Sequence, residues 1–89
     1  MLATNVWVAG YELDVVARRG GVVVFCEVKS KTGERFGDPL EMVDAEKQRR
    51  IRRAAEAWLA RRPELGGLAV RFDVIVVRGR RLEAIRQAF

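Results

Sequence analysis

Apolar and polar residues alternate over residues 12–29, which read ELDVVARRGGVVVFCEVK. Alternation with a period of two is typical of β-strands that expose one face and bury the other. The run is divided by Gly20-Gly21, and a pair of glycines accepts the positive φ angles of a two-residue hairpin turn. The pattern therefore predicts two antiparallel strands, about Glu12–Arg18 and Val22–Ser30, joined at this turn.

Counting outward from the turn brings charged residues of the two strands together. Asp14 then lies opposite Glu27, and Glu12 lies opposite Lys29. Residues directly opposite in a ladder share a face of the sheet, so this register places three carboxylates and an amine side by side. The same count gives the other face only apolar residues, namely Leu13, Val15, Ala17, Val24, Cys26 and Val28. The charged face is a candidate metal site.

The rest of the chain predicts three further strands and one helix. A strand over Asn5–Val8 precedes the hairpin, and Asp44 is suited to cap a helix over about Ala45–Arg62. β-Branched residues predict a strand over Arg71–Val77. The segment Leu82–Arg86 is compatible with a strand or a short helix, and the tight turn before it favours a strand. The helix has its apolar stripe at Ile51, Ala54, Ala55, Trp58 and Leu59.

The resulting order is β-β-β-α-β-(β). The third strand, the helix and the fourth strand form a crossover unit, so those two strands should be parallel. The predicted class is α/β, with a mixed sheet and one main helix packed on it. The chain has 89 residues, which corresponds to a single small domain.

Charge and composition restrict the possible functions. The chain carries 17 Lys and Arg against 12 Asp and Glu, a net charge of +5, and it contains no His. Any hydrolytic chemistry must therefore use carboxylates, Lys and a hard cation rather than histidine. The positive charge favours a polyanionic partner, although a coding bias toward Arg explains the same excess. No apolar run is long enough to span a bilayer and no signal peptide precedes the first strand, so we expect a cytoplasmic protein without a membrane partner.

Two sequence patterns resemble those of known proteins. Asp14, followed after twelve residues by Glu27-Val28-Lys29, resembles the PD-(D/E)xK constellation of restriction-endonuclease-like nucleases. The segments GYELDVVAR, VVVFCEVKSKTGERFGDPLEMVDAEKQRRI and RFDVIVV are similar to the YraN-like family of uncharacterised bacterial proteins, which resemble archaeal Holliday-junction resolvases. This similarity extends from Asn5 to Phe89. It implies a restriction-endonuclease-like fold and Mg²⁺- or Mn²⁺-dependent cleavage of DNA, with branched or repair intermediates as candidate substrates.

The resemblance implies a role for each residue of the hairpin site. Asp14 and Glu27 would hold the cation, together with the backbone carbonyl of Val28. Mg²⁺ takes oxygen ligands and keeps several waters, so two carboxylates suffice as protein anchors. Lys29 would stabilise developing negative charge or help to deprotonate the attacking water. Glu12 is either a third ligand or only the partner of Lys29.

Four further residues are candidates outside the hairpin. Gln48 resembles a helix glutamine that follows the acid-x-lysine triplet in some of these nucleases, and its alternative role is that of a polar residue at the helix entrance. Lys31 and Arg35 are candidate nucleic-acid contacts, because they follow Lys29 closely in the chain. Arg49 would join them only if its helix face borders the site.

Three functions and one simpler interpretation remain open at this point. The chain is a metal-dependent DNA endonuclease, a non-catalytic nucleic-acid-binding or assembly module with the same fold, or a metabolic hydrolase that uses the same carboxylates. In the simpler interpretation, Asp14, Glu27 and Lys29 are only the solvated face of an amphipathic hairpin. YraN-like proteins carry a helix ahead of the first strand, with a glutamate that helps to build the site in related nucleases, and residues 1–89 show no counterpart. The sheet surface that this helix would cover predicts self-association or another partner, and of these we expect a homodimer.

Overall fold

The computed structural model describes residues 1–31 and 43–89, which form a five-stranded sheet and one α-helix. The strands are β1 (Ala3–Val8), β2 (Tyr11–Arg19), β3 (Val22–Lys31), β4 (Ala69–Arg78) and β5 (Arg81–Ile85), and helix α1 spans Ala45–Ala60. A 3-10 helix at Pro63–Leu65 follows α1. Among these residues, no helix combines the length and the apolar character needed to cross a bilayer.

The strands lie side by side in the order β1-β2-β3-β4-β5. β3 and β4 are parallel, and the other three neighbouring pairs are antiparallel. A parallel pair needs a crossover connection, and α1 lies within that connection. This arrangement confirms the predicted α/β class with a mixed sheet. The structure also shows that the last segment, for which the sequence pattern allows a strand or a short helix, forms β5.

Helix α1 begins at the predicted residue and ends two residues before the predicted position. The Asp44 carboxylate accepts a hydrogen bond from the backbone N–H of Lys47 at 2.9 Å, which caps the first turn. At the other end, the backbone N–H of Arg62 donates to the Leu59 carbonyl at 2.9 Å. Such an i→i−3 bond tightens the last turn. Pro63 lacks the N–H that a continued helix requires.

Helix α1 packs against one side of the sheet, which we call the helix-covered face. The Trp58 ring meets the Phe25 ring edge to face with the centroids 5.9 Å apart, and Phe25 stacks on Phe72 at 5.6 Å. Trp58 is therefore a core residue, as its helical spacing predicts. Trp7, by contrast, is 71% exposed on the outer strand β1. The buried core comprises Leu13, Val16, Val23, Phe25, Val43, Ile51, Ala54, Ala55, Trp58, Leu65, Val74 and Val76.

The opposite side of the sheet, the open face, contains a partly buried ion pair. The Arg71 guanidinium donates two hydrogen bonds, of 2.9 and 3.0 Å, to the Asp73 carboxylate. The backbone N–H of Gln87 donates to the same carboxylate at 3.1 Å, so Asp73 attaches the end of the chain to β4. Burial and the negative charge of Asp73 raise the pKa of the neighbouring Cys26 thiol. Asp73 therefore has a structural role and lies outside the charged site on β2 and β3.

Candidate functional site

The alternation of side chains along β2 changes phase at Asp14. Leu13 and Val16 are 2% and 0% exposed and both belong to the core, although residues three positions apart face opposite sides of a regular strand. The β1–β2 ladder skips the Asp14 position, and Asn5, which lies across from it on β1, has a φ of 51°. A local break in the pleat therefore separates the first residues of β2 from the rest of the strand. The predicted position of Leu13 on the open face is wrong for this reason.

The Asp14 carboxylate reaches across to β3. Its Oδ2 accepts a hydrogen bond from the backbone N–H of Val28 at 2.9 Å. The regular pairing of β2 with β3 ends at Val15↔Cys26, so this side-chain contact continues the connection between the strands beyond the ladder. Val28 is the middle residue of the triplet Glu27–Lys29. The bond therefore holds Asp14 against the acid-x-lysine triplet.

Glu27 is buried, and one of its oxygens has two polar partners. The Lys29 ammonium lies 3.3 Å from Glu27 Oε1, and the Tyr11 hydroxyl donates to the same oxygen at 3.1 Å. Burial raises the pKa of Tyr11 well above its usual range, and the negative charges of Glu27 and Asp14 act in the same direction. The phenol therefore remains a donor throughout the neutral range. A buried carboxylate needs partners of this kind, because an unpaired charge is costly away from water.

Among the described residues, each of the two carboxylates has one oxygen without a hydrogen bond or an ion pair. Within the part of the chain that the structure describes, the hydrogen bonds and the ion pair engage Oδ2 of Asp14 and Oε1 of Glu27, which leaves Oδ1 and Oε2. Carboxylate oxygens are the ligands that Mg²⁺ prefers, and Mg²⁺ is commonly bound through only one or two of them. Residues 1–31 and 43–89 do not bring three or more His, Cys, Asp or Glu side chains together. Two carboxylate oxygens completed by water are a donor set that a hard cation such as Mg²⁺ would accept.

Glu12 does not lie beside these two carboxylates. Its neighbours Tyr11 and Leu13 both face the helix-covered side, so alternation turns Glu12 toward the open face. The predicted position of Glu12 opposite Lys29 is therefore wrong, and the ion pair of Lys29 is with Glu27 instead. The physical reason is the break in the pleat of β2, which reverses the faces of the residues that precede it. The interpretation of Glu12 as a third ligand loses its geometric basis.

The structure gives Gln48 a structural contact. Its side-chain Nε2 donates to the Val43 carbonyl at 3.0 Å, which agrees with the alternative role of a polar residue at the helix entrance. Lys31 is the last residue of β3, and its backbone extends the strand past Lys29. Arg35 lies outside the described residues.

One exposed arginine of α1, Arg50, acts electrostatically on the site. Arg49 and Arg50 both form ion pairs with Glu46, at 3.0 and 3.1 Å. Burial and Glu27 raise the pKa of Tyr11, and the positive charge of Arg50 acts in the opposite direction. Arg49 lies on the same exposed side of α1 as Arg50 and shares its partner Glu46. The arginine face of α1, which we define as Arg49, Arg50 and Arg53, is therefore a candidate extension of the site.

Tyr11 is the residue of the site that the sequence does not indicate. Regular alternation places it on the face opposite Asp14, and the preceding Gly10 indicates only a bend. Its hydroxyl nevertheless reaches Glu27, because the break at Asp14 turns the start of β2 toward the helix-covered face. The available sequence signal is limited to a tyrosine directly before the acidic stretch, which is too common to single out.

Comparison with known proteins identifies the sequence family of this chain. Residues 1–77 match the sequence model described as Uncharacterised protein family UPF0102. The chain belongs to this family. All the residues of the charged site, from Tyr11 to Lys29, lie inside the UPF0102 match. Membership confirms the resemblance to the YraN-like proteins.

Individual UPF0102 proteins are similar over most of this chain. The UPF0102 protein of Mycolicibacterium vanbaalenii is 51% identical over 83 residues, which are 91% of this chain and 67% of that protein. The one from Frankia alni is 47% identical over 83 residues, covering 88% of this chain and 68% of its own length. The one from Acidothermus cellulolyticus is 40% identical over 103 aligned positions, covering 100% of this chain and 78% of its own length.

Proposed function

We propose that this UPF0102 chain is a metal-dependent endonuclease that hydrolyses phosphodiester bonds in DNA. The observation that carries the proposal is the 2.9 Å hydrogen bond from the Val28 N–H to the Asp14 carboxylate. It joins one acid to the strand segment that bears a second acid, Glu27, and an amine, Lys29. The resemblance to PD-(D/E)xK nucleases supports the same assignment.

Asp14 and Glu27 would hold a Mg²⁺ or Mn²⁺ ion through the oxygens that their hydrogen bonds leave available. The resemblance adds the backbone carbonyl of Val28 to this ligand set. When bound, such a cation polarises a phosphoryl oxygen and makes a bound water more acidic. The two carboxylates would also keep a phosphate group at a distance unless a cation is present, because their charges repel it.

Lys29 provides the positive charge of the site. Its ammonium lies 3.3 Å from Glu27 Oε1. The Lys29 side chain is 18% exposed, so solvent reaches it. A fixed cation at this position would stabilise the negative charge that develops on a phosphoryl group during hydrolysis. Lys29 is therefore proposed as a catalytic residue, together with Asp14 and Glu27.

The basic character of the chain supports a nucleic acid as the substrate. The net charge is +5, and Arg50 on the arginine face of α1 opposes the rise in the Tyr11 pKa that burial and Glu27 cause. Arginine suits phosphate recognition because its flat, permanently charged fork binds two oxygens at once. We propose that this face contacts the DNA backbone beside the scissile bond. A homodimer would present two such sites to a branched DNA, and Leu82 on the outer strand β5 is among the exposed apolar residues open to self-association.

The first experiment tests the metal-holding acid. Asp14→Asn keeps an oxygen for the Val28 N–H and removes the negative charge. We expect it to lower the cleavage of plasmid and four-way branched DNA in Mg²⁺ or Mn²⁺ by at least about 100-fold. Substitution of residues that only contact the metal ligands already lowers metal affinity or activity by about 10- to 100-fold. Glu56→Gln, a loss of one charge on the exposed side of α1, is the matched control and should cleave like the parent chain. Cleavage by Asp14→Asn at the parent rate would contradict the proposal.

A second function, binding of nucleic acid without turnover, is favoured by the arginine face. Arg50→Gln should weaken DNA binding and reduce the slope of log K against log salt by about 1, because each phosphate contact releases close to one counterion. Fluorescence anisotropy at several salt concentrations measures this slope. Arg86→Gln, on the exposed end of the chain, is the control and should leave the slope unchanged. An unchanged slope for Arg50→Gln would exclude this residue as a phosphate contact.

The same assays separate the three candidate functions. Metal-dependent cleavage that Asp14→Asn abolishes supports the endonuclease. Salt-sensitive binding with no cleavage in either metal supports the non-catalytic module. Failure to bind any nucleic acid would favour a hydrolase that acts on a small metabolite.

A further inference from the structure

Glu27 needs its orientation fixed by other side chains. It is 7% exposed, and a glutamate has three rotatable side-chain bonds, so several orientations of its carboxylate are sterically possible. Lys29 restrains it weakly, because a lysine ammonium is a point charge on a flexible four-carbon stem. A second restraint with a defined direction is therefore required if Glu27 is to present one particular carboxylate oxygen to a ligand.

Tyr11 supplies a restraint of this kind. Its hydroxyl donates to Glu27 Oε1 at 3.1 Å, and its rigid ring places that hydroxyl through only two side-chain torsions. The donor is neutral, so it orients the carboxylate without cancelling its negative charge. Tyr11 and Lys29 both engage Oε1, and Oε2 is the oxygen that remains.

The position of Tyr11 follows from the same break that positions Asp14. Tyr11 begins β2 directly after Gly10, whose φ is 78°, a conformation that glycine adopts without strain. The change of phase at Asp14 then turns Tyr11 toward the helix-covered face, where Glu27 lies. One irregularity in β2 thus sends the Asp14 carboxylate to the Val28 N–H and the Tyr11 hydroxyl to Glu27.

We propose that Tyr11 is a positioning residue, which holds Glu27 so that its Oε2 faces a divalent cation shared with Asp14. The inference rests on the proposed metal-dependent function and assigns to that site a residue outside the acid-x-lysine pattern. Tyr11 acts through Glu27 and takes no part in the bond-breaking step. Its removal should therefore change metal affinity more than the rate at saturating metal.

The test uses Tyr11→Phe, which removes the hydroxyl and keeps the ring. Mn²⁺ binding, measured by electron paramagnetic resonance or calorimetry, should weaken about tenfold, as is usual when a partner behind a metal ligand is lost. The Mn²⁺ concentration for half-maximal cleavage should rise by the same factor, while the maximal rate stays within about twofold of the parent. Trp7→Phe, a change of an exposed aromatic residue on the neighbouring strand, should alter neither quantity.

A second measurement does not depend on the variant folding. Tyr11 is the only tyrosine in the chain, so ¹³C labelling at the tyrosine Cζ gives one NMR signal for this contact. That signal should shift when Mg²⁺ is titrated into the parent chain, with the same saturation curve as metal binding. Glu27→Gln should remove the Mg²⁺-dependent shift. A tyrosine signal that is indifferent to saturating Mg²⁺ would overturn the inference.

The outcomes distinguish this inference from the proposed function. If the parent chain binds Mn²⁺ and Tyr11→Phe binds it equally well, the positioning role is overturned and the metal site stands. If Tyr11→Phe loses more than about tenfold in maximal rate at saturating Mn²⁺, Tyr11 acts in the chemical step and the positioning role is also overturned. If the parent chain binds no Mn²⁺ or Mg²⁺, the proposed function fails and the inference fails with it.

Discussion

Lys29→Met is expected to lower the rate of DNA cleavage at saturating Mn²⁺ by about 100- to 1,000-fold, the usual cost of removing one preorganised group that stabilises transition-state charge. Methionine retains the length of the side chain and removes the ammonium, which lies 3.3 Å from Glu27 Oε1. Mn²⁺ affinity should not fall, because the substitution removes an ammonium whose positive charge repels the metal. Single-turnover cleavage at several Mn²⁺ concentrations measures the rate and the metal dependence separately.

Lys47→Met is the matched control for the lysine prediction. It removes the same charge from the first turn of α1 and should leave single-turnover cleavage within about twofold of the parent. Cleavage by Lys29→Met within about tenfold of the parent rate would contradict a catalytic role for Lys29. Loss of Mn²⁺ binding in Lys29→Met would instead indicate that Lys29 supports the orientation of Glu27.

Phe25→Ala is expected to lower the free energy of unfolding by about 3–5 kcal/mol, the usual cost of truncating a buried phenylalanine. Phe25 is at the centre of the core, edge to face with Trp58 and stacked on Phe72. Small domains have a total stability of about 5–15 kcal/mol, so this loss would leave a large unfolded fraction in mild denaturant. Urea unfolding followed by tryptophan fluorescence gives the measurement.

Val70→Ala is the control for the core prediction. Val70 is exposed on β4, and its truncation should change the unfolding free energy by less than about 0.5 kcal/mol. A loss below about 1 kcal/mol for Phe25→Ala would contradict the packing described for this core. The prediction also bears on the site, because Phe25 lies two residues before Glu27 on β3.

The sequence alone was sufficient for the order of the elements and for the type of the first four strands and the main helix. The turn at Gly20-Gly21 and the register Arg19↔Val22 to Val15↔Cys26 follow from counting outward along regular strands, and the structure contains both. The N-cap Asp44 and the buried stripe of α1 are equally local signals. These features are predictable because each depends on neighbouring residues, whose spacing alone decides which side chains share a face.

The tertiary structure decided which residue at the start of β2, Glu12 or Tyr11, joins the charged site. Counting from the turn brought Asp14, Glu27 and Lys29 together, but it also placed Glu12 among them and left Tyr11 on the other face. The break in the pleat at Asp14 exchanges the faces of Glu12 and Tyr11, because it changes the phase of the alternation for the residues before it. That break accompanies the pairing of β2 with β1 around Asn5, a contact between strands that alternation within either strand does not encode.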